Sequence, residues 1–267
     1  MKIVCDTNIW YGIGNGSISL NDYAFESIYA TYVNVDELAR TPNILFDLES
    51  VRNAIRSAMR VAKYRTIMDN PWIYLLKMDN PEFKVELEHD KAILELTTEF
   101  ANDKIINKEH IKEFEENWIR PKQKELADIA DVYNQLFDNI KEDIGNRKKE
   151  FRELEVIPFI KDFIRNRIGD WTEHHLGDRA TLSNGFDWNQ IELYVHTWAL
   201  WYVELSVSNT RFQPNDAYDL SNLVYIQPND KYWTKEKRWQ RIIQDIAKLG
   251  NYLIEYKEIN NFKKEST

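Results

Sequence analysis

Apolar and polar positions alternate in style along the chain. A short apolar run at residues 2–5 stops at Asp6-Thr7-Asn8, and a second run at 29–35 is rich in β-branched and aromatic residues. Short apolar runs bounded by polar positions predict buried strands. Gly12, Gly14 and Gly16 punctuate the stretch between them as a loop, and residues 21–28 predict a short helix. Strand, loop, helix, strand is a βαβ unit, which implies a parallel sheet.

Beyond residue 46 the period lengthens. Leu48, Val51, Ile55, Met59 and Ala62 recur at helical spacing within 47–68. Asn70-Pro71 and Asn80-Pro81 bracket a short aromatic-rich segment and open the next helix, from 82 to about 100. Helices are predicted over 108–144 and 148–168; a Gly- and Asp-rich loop over 169–187 then precedes the most apolar helix, 189–207. The tail returns to the opening style, with a helix at 215–224, a turn at Gln227-Pro228-Asn229-Asp230 and an aromatic strand at 231–234. A helix over 235–249, capped by Gly250, and a last strand at 252–256 complete it. Residues 1–46 and 208–267 are therefore expected to form one discontinuous α/β core with a parallel sheet, and 47–207 an α-helical insertion packed on it.

Composition sharpens the class. Of 267 residues, 43% are hydrophobic and 13% aromatic, too much apolar surface for a disordered chain. Only 8 Gly and 7 Pro accompany 30% charged residues, which favours long solvated helices over a many-turned sandwich. The single cysteine, Cys5, excludes a disulfide scaffold and a multi-thiolate zinc site, and is expected as a small buried hydrophobe. Asp6 and Asn8 interrupt the opening apolar residues, and no later run reaches the length of a membrane span. A cytoplasmic protein with no membrane partner is expected. The net charge of -9 argues against indiscriminate binding to polyanions, though an acidic site that meets a phosphate through cations is compatible with it.

Ligands of open parallel sheets sit beyond the carboxyl ends of the strands, and acids fall there: Asp6, Glu37, Asp216 with Asp219 one turn on, and Glu236. If they converge, two carboxylates about 4 Å apart repel by about 4 kcal/mol at an effective dielectric of about 20. A divalent cation removes that cost. Oxygen-only ligation suits Mg2+ or Mn2+, and the chemistry it supports is phosphodiester hydrolysis by a metal-activated water. Each acid also has a structural reading. Asp6 suits a turn, Glu37 a helix dipole, Asp216 an N-cap with Asp219 imitating a capping box, and Glu236 a surface helix start. Glu173-His174-His175 is a poor metal motif because adjacent rings diverge, and His196 reads as a core histidine.

Order and spacing add a resemblance. Lys2-Ile3-Val4-Cys5-Asp6-Thr7-Asn8-Ile9-Trp10 resembles the first strand and acidic turn of PIN-domain nucleases. Thr31-Tyr32-Val33-Asn34-Val35-Asp36-Glu37-Leu38 is similar to that family's second strand and helix-borne glutamate. Asn215-Asp216-Ala217-Tyr218-Asp219, then Tyr232-Trp233-Thr234-Lys235-Glu236-Lys237-Arg238-Trp239, resembles its third-acid helix, last core strand and closing turn. The resemblance implies a PIN-like three-layer core with a large helical insertion, and a Mg2+- or Mn2+-dependent nuclease acting on RNA in preference to DNA. It implies that Asp6, Glu37 and Asp216 bind the metal, that Asp219 and Glu236 support a second ion, and that Thr7, Asn8 and Thr234 orient the acids or a metal-bound water. Homodimers and an inhibitory protein partner would fit the same family. Two features depart from it: Glu236 stands where Asp is usual, and the helical middle is far longer than in small members.

Lys231, Lys235, Lys237, Arg238 and Arg241 flank Glu236 as candidate contacts to a nucleic-acid backbone. Arg147, Lys148, Lys149 and Arg152, with Lys161, Arg165 and Arg167, form a second basic group. Trp233 and Trp239 are candidates for stacking on bases or, more commonly, for the core. The reading from a different class is a non-catalytic PIN-like scaffold that binds nucleic acid or a protein partner through its helical middle.

Overall fold

The computed structural model describes residues 1–85, 87–102, 108–144, 153–246 and 248–260. In chain order the elements are β1 (Ile3–Cys5), α1 (Thr7–Gly14), α2 (Asp22–Ser27), β2 (Ile28–Thr31), α3 (Tyr32–Ala39), α4 (Leu48–Arg65), β3 (Thr66–Ile67), α5 (Pro71–Asp79), α6 (Glu88–Ala101) and α7 (Lys108–Phe114). There follow α8 (Arg120–Ile144), α9 (Glu153–Leu176), α10 (Glu192–Val207), α11 (Asp216–Asn222), β4 (Lys231–Trp233), α12 (Lys237–Gln244) and α13 (Tyr256–Asn260). The chain is mostly helical, with a four-stranded sheet in the order β3-β2-β1-β4. All three pairings are parallel, with Ile3 opposite both Ile28 and Lys231, and Ala30 opposite Thr66. The α/β class and the parallel sheet expected from the opening βαβ pattern are present.

Two compact units divide the chain: residues 1–70, 86–123 and 229–267 in the first, 71–85 and 124–228 in the second. The first holds the sheet. Its core gathers Ile3, Ile9, Trp10, Ile28 and Trp233 around Val51, Ala54 and Ile55 of α4. Val51 and Ile55 of the stripe read along 47–68 are buried, with Leu48 and Met59 packed beside them, and α4 lies against α1 and β2, so α4 belongs with the sheet rather than with a separate helical insertion. In the second unit, α8, α9 and α10 share an aromatic core. Tyr133 stacks on Phe212 at 4.6 Å, Phe137 meets Tyr202 edge-on at 5.0 Å, and Phe163 meets Trp198 at 5.8 Å. The Asn134 amide accepts from Phe212 N at 2.9 Å and donates to Phe212 O at 3.0 Å, tying the chain before α11 to α8. No described helix is long and apolar enough to cross a membrane.

Several boundaries differ from expectation for identifiable reasons. β2 stops at Thr31, and the β-prone residues 32–35 start α3 instead. There Thr31 Oγ1 accepts from Asn34 N at 3.2 Å while Asn34 Oδ1 accepts from Thr31 N at 3.1 Å, a reciprocal cap that outweighs the strand propensity of Val33 and Val35. Gly12 and Gly14 lie in α1 rather than in a loop; a Cβ on Gly14 would stand 2.5 Å from the Asn53 carbonyl carbon, so glycine is what lets α1 cross α4 closely. Residues 169–176 continue α9, and the stop is Gly177 at φ +73°, whose N–H returns to Glu173 O at 3.2 Å. The aromatic-rich segment at 71–79 is helix α5, the following helix starts at Glu88, and α12 ends at Gln244. In place of a strand at 252–256 there is one parallel bridge, Tyr232 to Leu253. Arg147, Lys148, Lys149 and Arg152 lie outside the described residues.

Candidate functional site

β1 and β4 pair in parallel, so their carboxyl ends, Cys5-Asp6 and Trp233-Thr234, lie side by side. Asp6 N still donates to Trp233 O at 2.9 Å before the chain turns into α1. Asp6 is the N-cap of that helix, in extended backbone, and its Oδ1 accepts from Thr7 N at 2.7 Å. Its Oδ2 accepts from Thr234 Oγ1 at 2.7 Å, and the same Thr234 oxygen accepts from Glu236 N at 3.0 Å. Asn8 Nδ2 donates to Glu236 Oε1 at 2.9 Å. From the β2 side, Glu37 on α3 accepts through Oε2 from Thr7 Oγ1. Asp6, Glu37 and Glu236, from three separate parts of the sequence, are thereby joined through Thr7, Asn8 and Thr234, all six of which the sequence singles out.

Asn34 is a member that sequence reasoning missed. Its amide donates to Thr7 Oγ1 at 3.2 Å and accepts from Trp10 Nε1 at 3.2 Å, so the hydroxyl facing Glu37 is oriented by a buried side chain. The available signal was Thr31-x-x-Asn34, a capping pattern one turn before Glu37. Gln240 is a second: its Nε2 donates to Thr234 O at 2.8 Å and fixes the turn that carries Glu236.

Electrostatics set these acids apart. Burial pushes the Asp6 carboxyl up to about 6, with the Glu236 charge adding and the hydrogen bonds from Thr234 and Thr7 opposing. Burial likewise pushes Glu37 up to about 8, opposed by Thr7 and reinforced by Asp6, Asp36 and Glu236. The folded protein therefore holds protons that the unfolded chain releases. This stabilisation is complete below the ordinary carboxyl range and is lost as pH rises through about 6 and then about 8. Metal-free protein is expected to melt at progressively lower temperature from about pH 5 to about pH 9, and Glu37→Gln to flatten the upper part of that slope. A thermal scan series checks this, and a pH-independent melting temperature contradicts it.

The other predicted residues are placed as follows. Asp216 and Asp219 lie on α11 in the second unit. Asp216 is buried and occupies the first helical position rather than the N-cap, which is Asn215; its Oδ2 accepts from Gln213 N at 2.9 Å. Lys235, Lys237 and Arg241 are exposed, Lys231 donates to Asn251 O, and the Arg238 guanidinium lies 4.7 Å above the Trp239 ring. Trp233 and Trp239 are buried in the core, the commoner of their two expected fates. Cys5 is fully buried on β1. Among the described residues, no group of three or more His, Cys, Asp or Glu side chains is disposed to hold a metal ion. Comparison with protein-family models, with curated proteins and with solved structures returned no match.

Proposed function

We propose that this chain is a Mg2+- or Mn2+-dependent nuclease with a PIN-like α/β unit, hydrolysing phosphodiester bonds of RNA in preference to DNA. The observation that carries the reading is the gathering of three acids at the carboxyl ends of parallel strands: Asp6 accepts from the Thr234 hydroxyl and the Thr7 N–H, Glu37 from the Thr7 hydroxyl, and Glu236 from the Asn8 amide. Burial holds Asp6 and Glu37 above the ordinary carboxylate range, an arrangement that favours a bound cation over two buried negative charges. Every donor is oxygen, which suits a hard cation that takes one or two carboxylates and completes its shell with waters and substrate phosphate. Asp6 and Glu37 would hold the ion, with Glu236 beside them.

Bound there, the ion would supply a water of lowered pKa and a counter-charge for the leaving oxygen. The chain's own groups do the positioning. Thr234 and the Thr7 backbone N–H each occupy one oxygen of Asp6 and fix the plane of its carboxylate, while Glu37 accepts through Oε2 from the Thr7 hydroxyl, which Asn34 orients. Exposed Lys235 and Lys237 next to Glu236 provide cations for the substrate backbone.

A second reading is a non-catalytic scaffold that binds nucleic acid or a protein, favoured by the hydrogen bonds that Thr234, Thr7 and Asn8 already give the three acids without a cation. Calorimetric titration with Mn2+ near pH 7 separates the two. The nuclease reading expects saturable binding with release of a proton chiefly from Glu37, seen as a dependence of the heat on buffer ionisation enthalpy. No binding heat from folded protein supports the scaffold.

A further inference from the structure

The turn between α3 and α4 presents an aromatic ring that the first unit does not cover. Phe46 is 84% exposed, the most exposed large hydrophobic side chain among the described residues. Its backbone is nonetheless fixed. Phe46 N donates to Asn43 O at 3.1 Å, Asp47 N donates to the same oxygen at 2.7 Å, and Ile44 two residues earlier is buried in the core with Leu45 packed beside it. A ring held out on a rigid turn loses little freedom when something stacks on it.

The turn adjoins the acid site. Tyr11 lies one helical turn after Thr7 on α1, with its phenol beside the Thr41 and Asn43 side chains and within the influence of the Glu37 and Asp47 charges. The next residue, Gly12, carries the Lys235 ammonium against it; a Cβ there would stand 3.3 Å from Lys235 Nζ. One stretch of α1 is therefore bordered by a cation, by the acids and by the turn that carries Phe46. An apolar peptide would have no use for Lys235 or for the acids. A single-stranded polynucleotide uses all of them, because it offers a phosphate to the cation and an unstacked base face to the ring, a face that a duplex keeps covered.

We propose that Phe46 is the stacking platform for an unpaired base of a single-stranded polynucleotide whose backbone passes Lys235 and the Asp6, Glu37 and Glu236 cluster. The inference deepens the nuclease reading and rests on it for the choice of ligand. It makes the substrate single-stranded and places part of its recognition on the base rather than the phosphate.

The test is fluorescence anisotropy of the full chain in EDTA with a fluorescein-labelled single-stranded oligoribonucleotide and with the same strand in duplex. A parallel series carries 2-aminopurine, whose emission stacking quenches. Phe46→Ala is expected to weaken single-strand binding about tenfold and to abolish the quenching. Duplex binding should change less than about twofold, and Phe46→Trp should restore both single-strand signals. Melting should be unaltered in both variants, since the ring packs on little. Wild-type affinity for the single strand retained in Phe46→Ala, equal losses for single strand and duplex, or no binding by the wild type would each overturn the proposal. Stacking without cleavage in Mn2+ would leave the platform standing and remove the nuclease reading. Cleavage that is indifferent to Phe46→Ala would do the reverse.

Discussion

Asp6→Asn is expected to reduce metal-dependent cleavage of single-stranded RNA by about a thousandfold or more, equivalent to roughly 4 kcal/mol of barrier. Asp6 is where β1 ends, α1 begins and the Thr234 hydroxyl arrives, so it is the acid most constrained by the fold. The same constraint predicts that the variant folds. Asn is as good an N-cap as Asp, and its side-chain oxygen still accepts from Thr7 N or from Thr234. At about pH 8 the wild-type carboxylate is ionised against its burial, a cost on the order of 3 kcal/mol without a cation, and the neutral amide does not carry it. Asp6→Asn should therefore melt at or above the wild-type temperature in EDTA at that pH. Added Mn2+ should raise the melting temperature of the wild type and leave the variant's unmoved. Metal-dependent cleavage at the wild-type rate by pure Asp6→Asn would remove Asp6 from the site.

The largest expected loss of stability comes from Gly14→Val. A Cβ at this position would meet the Asn53 carbonyl carbon at 2.5 Å, Ala54 N at 2.6 Å and Asn53 O at 2.7 Å, all backbone atoms of α4. No rotamer change relieves a clash with backbone, so α1 must move away from α4. That movement opens the core shared by Trp10, Ala54 and Ile55. A loss of about 3 kcal/mol or more is expected, which for a chain of this size lowers the melting temperature by roughly 6–12 °C. Gly14→Ala should fall between Gly14→Val and wild type. Gly250→Ala, where a Cβ meets nothing within 4 Å, should change little. Equal melting temperatures for Gly14→Val and Gly250→Ala would contradict the close crossing of the two helices.

Much of the sheet was legible because apolar runs that end abruptly in polar residues report strands and their ends together. β1 stops at Asp6 and β4 stops before Thr234, and their parallel pairing then brings Asp6 and Glu236 to one place. Glycines misled in α1, where Gly12 and Gly14 serve close packing rather than a turn. β3 escaped because its two residues sit at the end of an amphipathic pattern whose period is helical. The start of α3 was hidden by β-branched residues that a side-chain cap overrides, and with it went the role of Asn34 as orienter of Thr7. Asp216 and Asp219 lie on α11 in the second compact unit. Helix-start chemistry reads the same in either compact unit, and which unit claims α11 is decided by packing between residues distant in sequence.

The most direct measurement of the central claim is cleavage of fluorescent single-stranded RNA by the purified wild-type chain in Mn2+ and in EDTA. The account predicts product in Mn2+ and none in EDTA, with single-stranded RNA cut faster than the same sequence in duplex. Equal product in EDTA, or intact RNA in Mn2+ from folded protein, would contradict it.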